Sequence, residues 1–173
     1  MTSEVARPAI ETPTGRFEFA PHHCFACGSL NEHGIHLELH VAGDRCWTDL
    51  ALPERFQGWD GIAHGGIVCT ILDEVMAWSL AATNNWGLTA RMSVTFKRPI
   101  RIGAPIRGEG WITSSRRRIH ETAARIVDPA SDEVLATASA TYVAADAERK
   151  AELQARYRFR LVEGELGTNG ARP

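Results

Sequence analysis

The sequence lacks any apolar run of the roughly 18 residues that a membrane-spanning helix needs. Its first 18 residues carry acidic side chains and prolines where a signal peptide would have an apolar core. These two absences argue against a membrane protein and against a secreted one. We therefore expect a cytoplasmic location and no membrane partner.

Cysteine is also scarce, with four residues in a chain of 173. That number is too small for a disulfide-stapled scaffold of this length, so reduced thiols are expected.

Excess charge is missing as well, because the formal net charge is -2. A chain without a general positive field is a poor candidate for nucleic-acid binding, although basic residues cluster locally at 116–118.

What the chain does have is a 44% apolar composition, which suffices for the core of one domain. Residues 1–20 contain prolines without a sustained period, and we expect a flexible tail there. Residues 21–145 are predicted to form the folded domain. Residues 146–173 are predicted to hold a charged amphipathic helix followed by a loose tail.

Strand patterns flank one helical pattern. Alternating residues predict a hairpin from Ile35–Val41 and Arg45–Leu52, joined by a turn at Gly43-Asp44. After the helix, four further strands are predicted at 89–97, 106–113, 119–127 and 134–143. Their short connections favour antiparallel neighbours. The fold class is therefore α+β, with an antiparallel sheet of about six strands wrapped around one long central helix.

The central helix is predicted over about 66–82. An apolar face formed by Val68, Leu72 and Val75 has further apolar residues beside it, as in a helix that protein surrounds on most sides. Asp73 lies away from that face, with Cys69 and Met76 as its neighbours one turn before and after. A solvated helix face would more often carry Lys or Gln there, so Asp73 is a candidate functional carboxylate.

The helix begins in a sequence suited to binding an anion, His64-Gly65-Gly66. The first backbone N–H groups of a helix have no intrahelical partner, and this end carries about half a positive charge. Without a Cβ, the glycines let a substrate oxygen approach as in an oxyanion hole. Asp73 lies about 12 Å further along the axis at ~1.5 Å per residue, so a long substrate or a second subunit must bring the two groups together.

A second motif, Cys24-x-x-Cys27 flanked by His22 and His23, has the spacing of half a zinc site. A tetrahedral structural site needs two more ligands, and no second paired motif follows. Histidines 33, 36 and 40 are possible donors without the usual spacing. Zinc binding and redox chemistry stay open as alternatives, but we expect a packed loop with incidental thiols and no metal.

Taken together, these motifs resemble the hotdog-fold acyl-CoA thioesterases of the phenylacetate-pathway type. The resemblance covers roughly residues 22–143. It rests on His23-Cys24-Phe25-x-Cys27-Gly28, Asn31-x-x-Gly34, Phe56-Gln57-Gly58, His64-Gly65-Gly66, Leu72-Asp73-Glu74, Thr89-Ala90 and Phe96-Lys97-Arg98-Pro99.

The resemblance implies a homodimer, possibly a dimer of dimers, with active sites at the subunit interface and an acyl group on coenzyme A as the substrate. No cofactor is implied, since coenzyme A is part of the substrate. Asp73 takes the place of the catalytic base or nucleophile, and Gly65 that of the oxyanion-hole backbone. His64 and Thr89 match positions that support these two groups. The positions expected to bind substrate are Gln57, Gly66 and Arg98.

Two alternatives remain at this stage. The same fold could bind or sense acyl-CoA without catalysis, because a sequence shows residue types but not their geometry. Hotdog proteins also include hydratases and dehydratases, which typically carry Asp/Asn-x-x-x-x-His on the central helix. The helix after Gly66 has no histidine before Trp78, which argues against that reaction.

Overall fold

The structure is a computed structural model that describes residues 9–12, 15–158 and 160–162. Two helices and a short 3-10 turn accompany the strands: α1 spans Gly65–Ala82, α2 spans Ala147–Tyr157, and the turn spans Glu54–Phe56. The strands are β1 Ala9–Thr12, β2 Gly15–Glu18, β3 His40–Ala42, β4 Arg45–Ala51, β5 Gln57–Trp59, β6 Ile62–Ala63, β7 Gly87–Phe96, β8 Pro105–Arg116, β9 Ile119–Val127, β10 Val134–Ala144 and β11 Arg160–Val162.

The main sheet runs in the order β11-β2-β1-β3-β4-β8-β9-β10-β7. Its six strands from β3 to β7 are antiparallel neighbours and curve around α1, which confirms the predicted fold class. At the other end, β1 joins β3 in parallel and extends the sheet through β2 and β11. Strands β5 and β6 form a separate small ladder beside the start of α1.

The terminal segments differ in part from the expectation. The residues expected to form a flexible N-terminal tail include β1 and β2, while residues 1–8 and 13–14 lie outside the described part. At the other end, α2 confirms the predicted terminal helix, and β11 follows it. The loose tail predicted beyond it falls on residues 163–173, which also lie outside the description.

The first predicted strand is wrong over residues 35–39, because β3 begins at His40. The alternation there reports burial correctly, since Ile35, Leu37 and Leu39 are buried. The backbone, however, bonds to a preceding loop: the N–H groups of Ile35 and Leu37 donate to the carbonyls of Phe25 and Ala26. A segment outside any sheet can thus alternate between buried and exposed side chains.

Helix α1 approaches the sheet most closely at two glycines of β8. A Cβ on Gly110 would lie 2.5 Å from the backbone carbonyl of Val75, and one on Gly108 would lie 3.1 Å from the Cγ2 methyl group of Ile71. Along one face of α1, the apolar side chains are buried against the sheet: Val68, Ile71, Leu72, Val75, Met76 and Leu80. The glycines therefore set the depth at which the helix sits.

The segment before β3 covers part of the outer side of α1. Phe19 stacks on Trp78 with ring centroids 5.4 Å apart, and Cys24 approaches Glu74. In the described residues, no helix is long and apolar enough to cross a bilayer.

The close contacts at Gly108 and Gly110 lead to a prediction about stability. Gly110→Ala pushes a methyl group into the helix backbone, which cannot yield locally, so we expect a loss of about 3 kcal/mol or more in the free energy of unfolding. Gly108→Ala is the matched control, because its methyl group would meet a side-chain methyl that has to shift by only a few tenths of an ångström, and it should lose about 1 kcal/mol. Urea denaturation of both variants measures the difference. Equal losses would contradict this account of helix depth.

Candidate active site

The N-terminus of α1 is capped by the side chain of His64. His64 has the extended backbone of a helix N-cap, φ -64° and ψ 133°, and its Nδ1 accepts the Gly66 N–H at 3.0 Å. An accepting Nδ1 places the proton of a neutral imidazole on Nε2. His64 therefore orients the helix start, and the Gly66 N–H is already used within the chain.

This arrangement leaves the Gly65 N–H as the donor for a ligand. It has no hydrogen-bond acceptor in the described part of the chain, as expected for the first residue of a helix. Gly58 packs against His64, where a Cβ would lie 3.1 Å from the His64 Cα, and so helps hold the loop in place. The Gln57 side chain accepts a hydrogen bond from the Gly61 N–H at 3.2 Å and so stabilises the loop between them. A contact of Gln57 with substrate stays a prediction.

A surface cavity of about 350 Å³ opens beside Gly65. Its lining includes Phe96, Lys97 and Arg98 from the end of β7 and the residues after it. Arg98 pairs with Glu133 at 3.0 Å, and both side chains are more than half exposed. An exposed pair of this kind contributes at most about 1 kcal/mol, so Arg98 can exchange Glu133 for a phosphate.

Asp73 belongs to a second cluster, further along α1. Its Oδ1 accepts the Thr89 hydroxyl at 2.8 Å and the Tyr142 hydroxyl at 2.7 Å. The Tyr142 hydroxyl also lies 2.9 Å from the Asp73 carbonyl oxygen. Among the described residues no donor reaches Oδ2, so one carboxylate oxygen is held and the other is left for a ligand.

A bulge in the sheet brings Thr89 to Asp73. Thr141 of β10 pairs with Arg91 of β7, but the next pair is Tyr142 with Thr89, which skips Ala90. A shift of one residue moves a strand's side chains to the opposite face of the sheet. Thr89 and Tyr142 consequently point to the same side, where both reach Asp73.

Sequence reasoning missed Tyr142. This side chain is fully buried, and burial beside Asp73 holds the pKa of its hydroxyl far above the usual value. A signal existed in β10, because Tyr142 is the one large polar side chain on an inward face otherwise made of Ala136, Ala138, Ala140 and Ala144. A buried tyrosine hydroxyl usually has a hydrogen-bond partner.

The predicted residues therefore fall into two clusters within one chain. His64, Gly65, Gly66 and Arg98 lie at the helix start, whereas Asp73 and Thr89 lie about 12 Å away along the axis. Strand β7 touches both clusters: Thr89 bonds to Asp73, and Phe96 packs 3.5 Å from the position of a Cβ on Gly65.

Glu74, the residue after Asp73, faces the N-terminal segment. Its Oε1 accepts the Trp78 indole N–H at 2.9 Å and lies 4.0 Å from the Cys24 Sγ. Burial raises the pKa of the Glu74 carboxyl to about 7, and the neighbouring Cys24 adds to the rise. A hydrogen bond from the Cys27 thiol lowers the pKa of Cys24 to about 5 and raises that of Cys27.

The large side chains of Trp59, Met76, Trp78 and Trp86 do not share one site. Trp59 is 85% exposed on the small β5–β6 ladder, and Met76 is fully buried. Trp78 and Trp86 instead line a second cavity of about 190 Å³ with Cys24, Cys27 and Glu74.

A sheet wrapped around one long helix that starts in glycines defines the hotdog fold, the class that the sequence predicted. Comparison with known proteins agrees: residues 60–135 match the family model described as Thioesterase superfamily. A search of curated proteins found no match.

Solved structures of the same fold are numerous. A thioesterase superfamily protein superposes with a TM-score of 0.66 at 24% identity. The match covers 70% of this chain and 60% of the other protein's chain. A Streptococcus mutans protein bound to acetyl-CoA gives 0.60 at 15% identity, covering 68% and 97%. An acyl-CoA hydrolase from Staphylococcus aureus, in complex with butyryl-CoA and coenzyme A, gives 0.57 at 20%, covering 61% and 66%. At these identities the likeness establishes the fold.

Proposed function

We propose that this protein is an acyl-CoA thioesterase of the thioesterase superfamily and that it acts as a homodimer. The observation that carries the proposal is the pair of incomplete clusters: a carboxylate with one free oxygen, and a helix start with one free N–H. The family match over residues 60–135 and the CoA-bound structural neighbours support this substrate class. The narrower phenylacetate-pathway assignment and the cytoplasmic location stay predictions.

The edge of the sheet supports the dimer. Strand β7 lies at one edge of the main sheet. It is ten residues long, and Arg91 is its one charged side chain. Leu88 is 82% exposed and Phe96 is 55% exposed. A long, apolar edge strand with unpaired backbone groups is a template for pairing with another chain.

Antiparallel pairing of two β7 strands about a two-fold axis would place the start of one strand beside the end of the other. Thr89 and Asp73 of one subunit would then face the region of the partner subunit's Phe96, next to the partner subunit's Gly65. Each active site would combine a carboxylate from one chain with a helix start from the other. Further pairing into a tetramer stays a prediction.

In the proposed reaction, Asp73 Oδ2 takes a proton from water as the water oxygen attacks the thioester carbonyl carbon. The carbonyl oxygen becomes an oxyanion, which the partner subunit's Gly65 N–H stabilises. Collapse breaks the carbon–sulfur bond, and the leaving coenzyme A sulfur takes the proton held by Asp73, which releases the thiol and restores the carboxylate. Thr89 and Tyr142 hold Oδ1, so that Oδ2 stays aimed at the water or, in the covalent variant of this route, at the carbonyl carbon itself.

Basic side chains at the cavity would bind the phosphates of coenzyme A. Arg98 is the best candidate, because it lines the cavity next to Gly65 and its partner Glu133 is exposed. Lys97 lines the same cavity and adds a second cation.

Asp73→Asn tests the catalytic carboxylate. The amide cannot take a proton from water, so we expect kcat to fall at least about a hundredfold. Asp44→Asn in the turn between β3 and β4 is the matched control and should keep the parental rate, because asparagine also suits a turn. The measurement is thiol release from a panel of aryl- and fatty-acyl-CoA esters.

Two results would contradict the proposal. Equal turnover by Asp73→Asn and the parent would remove Asp73 from the mechanism. Tight binding of acyl-CoA by the parent in calorimetry, with no thiol released, would instead identify a non-catalytic acyl-CoA binder.

Gly65→Pro tests the oxyanion donor separately, since it deletes the backbone N–H. Proline is tolerated at the first position of a helix, and the preceding His64 already has the extended backbone that proline demands. We expect kcat to fall about a hundredfold or more. Gly65→Ala is the control: it keeps the N–H, and its Cβ would make an ordinary 3.5 Å contact with Phe96. The same loss in both variants would show that bulk, not the donor, matters at this position.

A further inference from the structure

The Cys24-x-x-Cys27 motif has no role in the proposed hydrolysis, yet the fold gives it a third donor that its spacing did not predict. One ligand atom each from Cys24, Cys27 and Glu74 lie within 4.8 Å of one another. Glu74 comes from the middle of α1, fifty positions along the chain from Cys24. We propose that Cys24, Cys27 and Glu74 bind a zinc ion that ties the N-terminal segment to the central helix.

The local backbone builds the two-thiol half of the site. The Gly28 N–H donates to the Cys24 carbonyl at 2.9 Å, and the Leu30 N–H donates to the His22 carbonyl at 3.0 Å. A Cβ on Gly28 would collide with these two carbonyls, so the turn requires glycine. The turn folds the chain back tightly and brings both thiols to one side.

The third donor is held in place by the helix. Trp78, one turn after Glu74, donates its indole N–H to Glu74 Oε1 at 2.9 Å. A carboxylate that binds a metal is commonly fixed by such an outer hydrogen bond. Three acidic groups this close repel one another when ionised, and a divalent cation would offset that repulsion.

The donor set selects the kind of metal. Two thiolates favour soft or borderline ions over magnesium or calcium, and a carboxylate completes a common zinc set. The fourth position opens into the 190 Å³ cavity lined by His22 and Trp86, which leaves it to water or to a small ligand. The ion would sit on the side of α1 that faces the N-terminal segment, while Asp73 bonds to β7 and β10.

The test measures zinc in the full-length chain after removal of any histidine tag, with a reductant present so that no Cys24–Cys27 disulfide forms. Chelator-treated protein is reloaded with Zn²⁺, freed of excess metal and assayed by mass spectrometry. We expect about one equivalent per chain. Cys24→Ser and Cys27→Ser should lose it, and Glu74→Gln should bind more weakly. Cys69→Ser, on the same helix but outside the cluster, should keep the full equivalent.

A spectroscopic measurement on the parent protein keeps the test independent of how well the variants fold. X-ray absorption at the zinc edge should show two sulfur neighbours at about 2.3 Å with lighter atoms completing the shell. Co²⁺ in place of zinc should give a thiolate charge-transfer band. Less than stoichiometric binding by the reduced parent, a shell without sulfur, or undiminished binding by the Cys24→Ser/Cys27→Ser double variant would overturn the proposal. None of these readouts depends on thioesterase activity.

Discussion

The close contact between α1 and the two glycines of β8 is the constraint on which the other features depend. Because the helix backbone rests directly on Gly110, the depth of the helix over the sheet is determined by backbone atoms instead of adaptable side chains. That depth lets a tyrosine in β10 and a threonine in β7 reach the same carboxylate oxygen on the helix. The side chains of the candidate site thus depend on a backbone contact to which none of them contributes an atom.

Strand β7 combines two roles that are usually separate. It forms one edge of the sheet, and it contacts both the Asp73 cluster and the helix start. In a dimer built on this edge, assembly and active-site formation would be the same event. The bulge near Thr89 matters for this reason, since it turns one hydroxyl toward Asp73 without ending the strand.

Local patterns predicted much of this structure. The period of the helix located α1 to within one residue at its start, and alternation located β9 at Ile119–Val127 with the same bounds. Asp73 could be singled out because its helix neighbours are apolar. Periodicity reports which face is buried, but it does not report register or the docking of distant segments. The bulge beside Thr89, the hydroxyl of Tyr142 and the approach of Glu74 to Cys24 are all of that second kind.

The central claim is that each active site is shared between two subunits, and a mixed dimer tests it most directly. Asp73→Asn and Gly65→Pro chains, carrying different tags, are co-expressed and the heterodimer is isolated by both tags. One of its two sites would then contain an intact Asp73 and an intact Gly65, so the account predicts about half the parental activity where each homodimer has almost none. A correctly assembled heterodimer that is as inactive as the two homodimers would contradict the shared site.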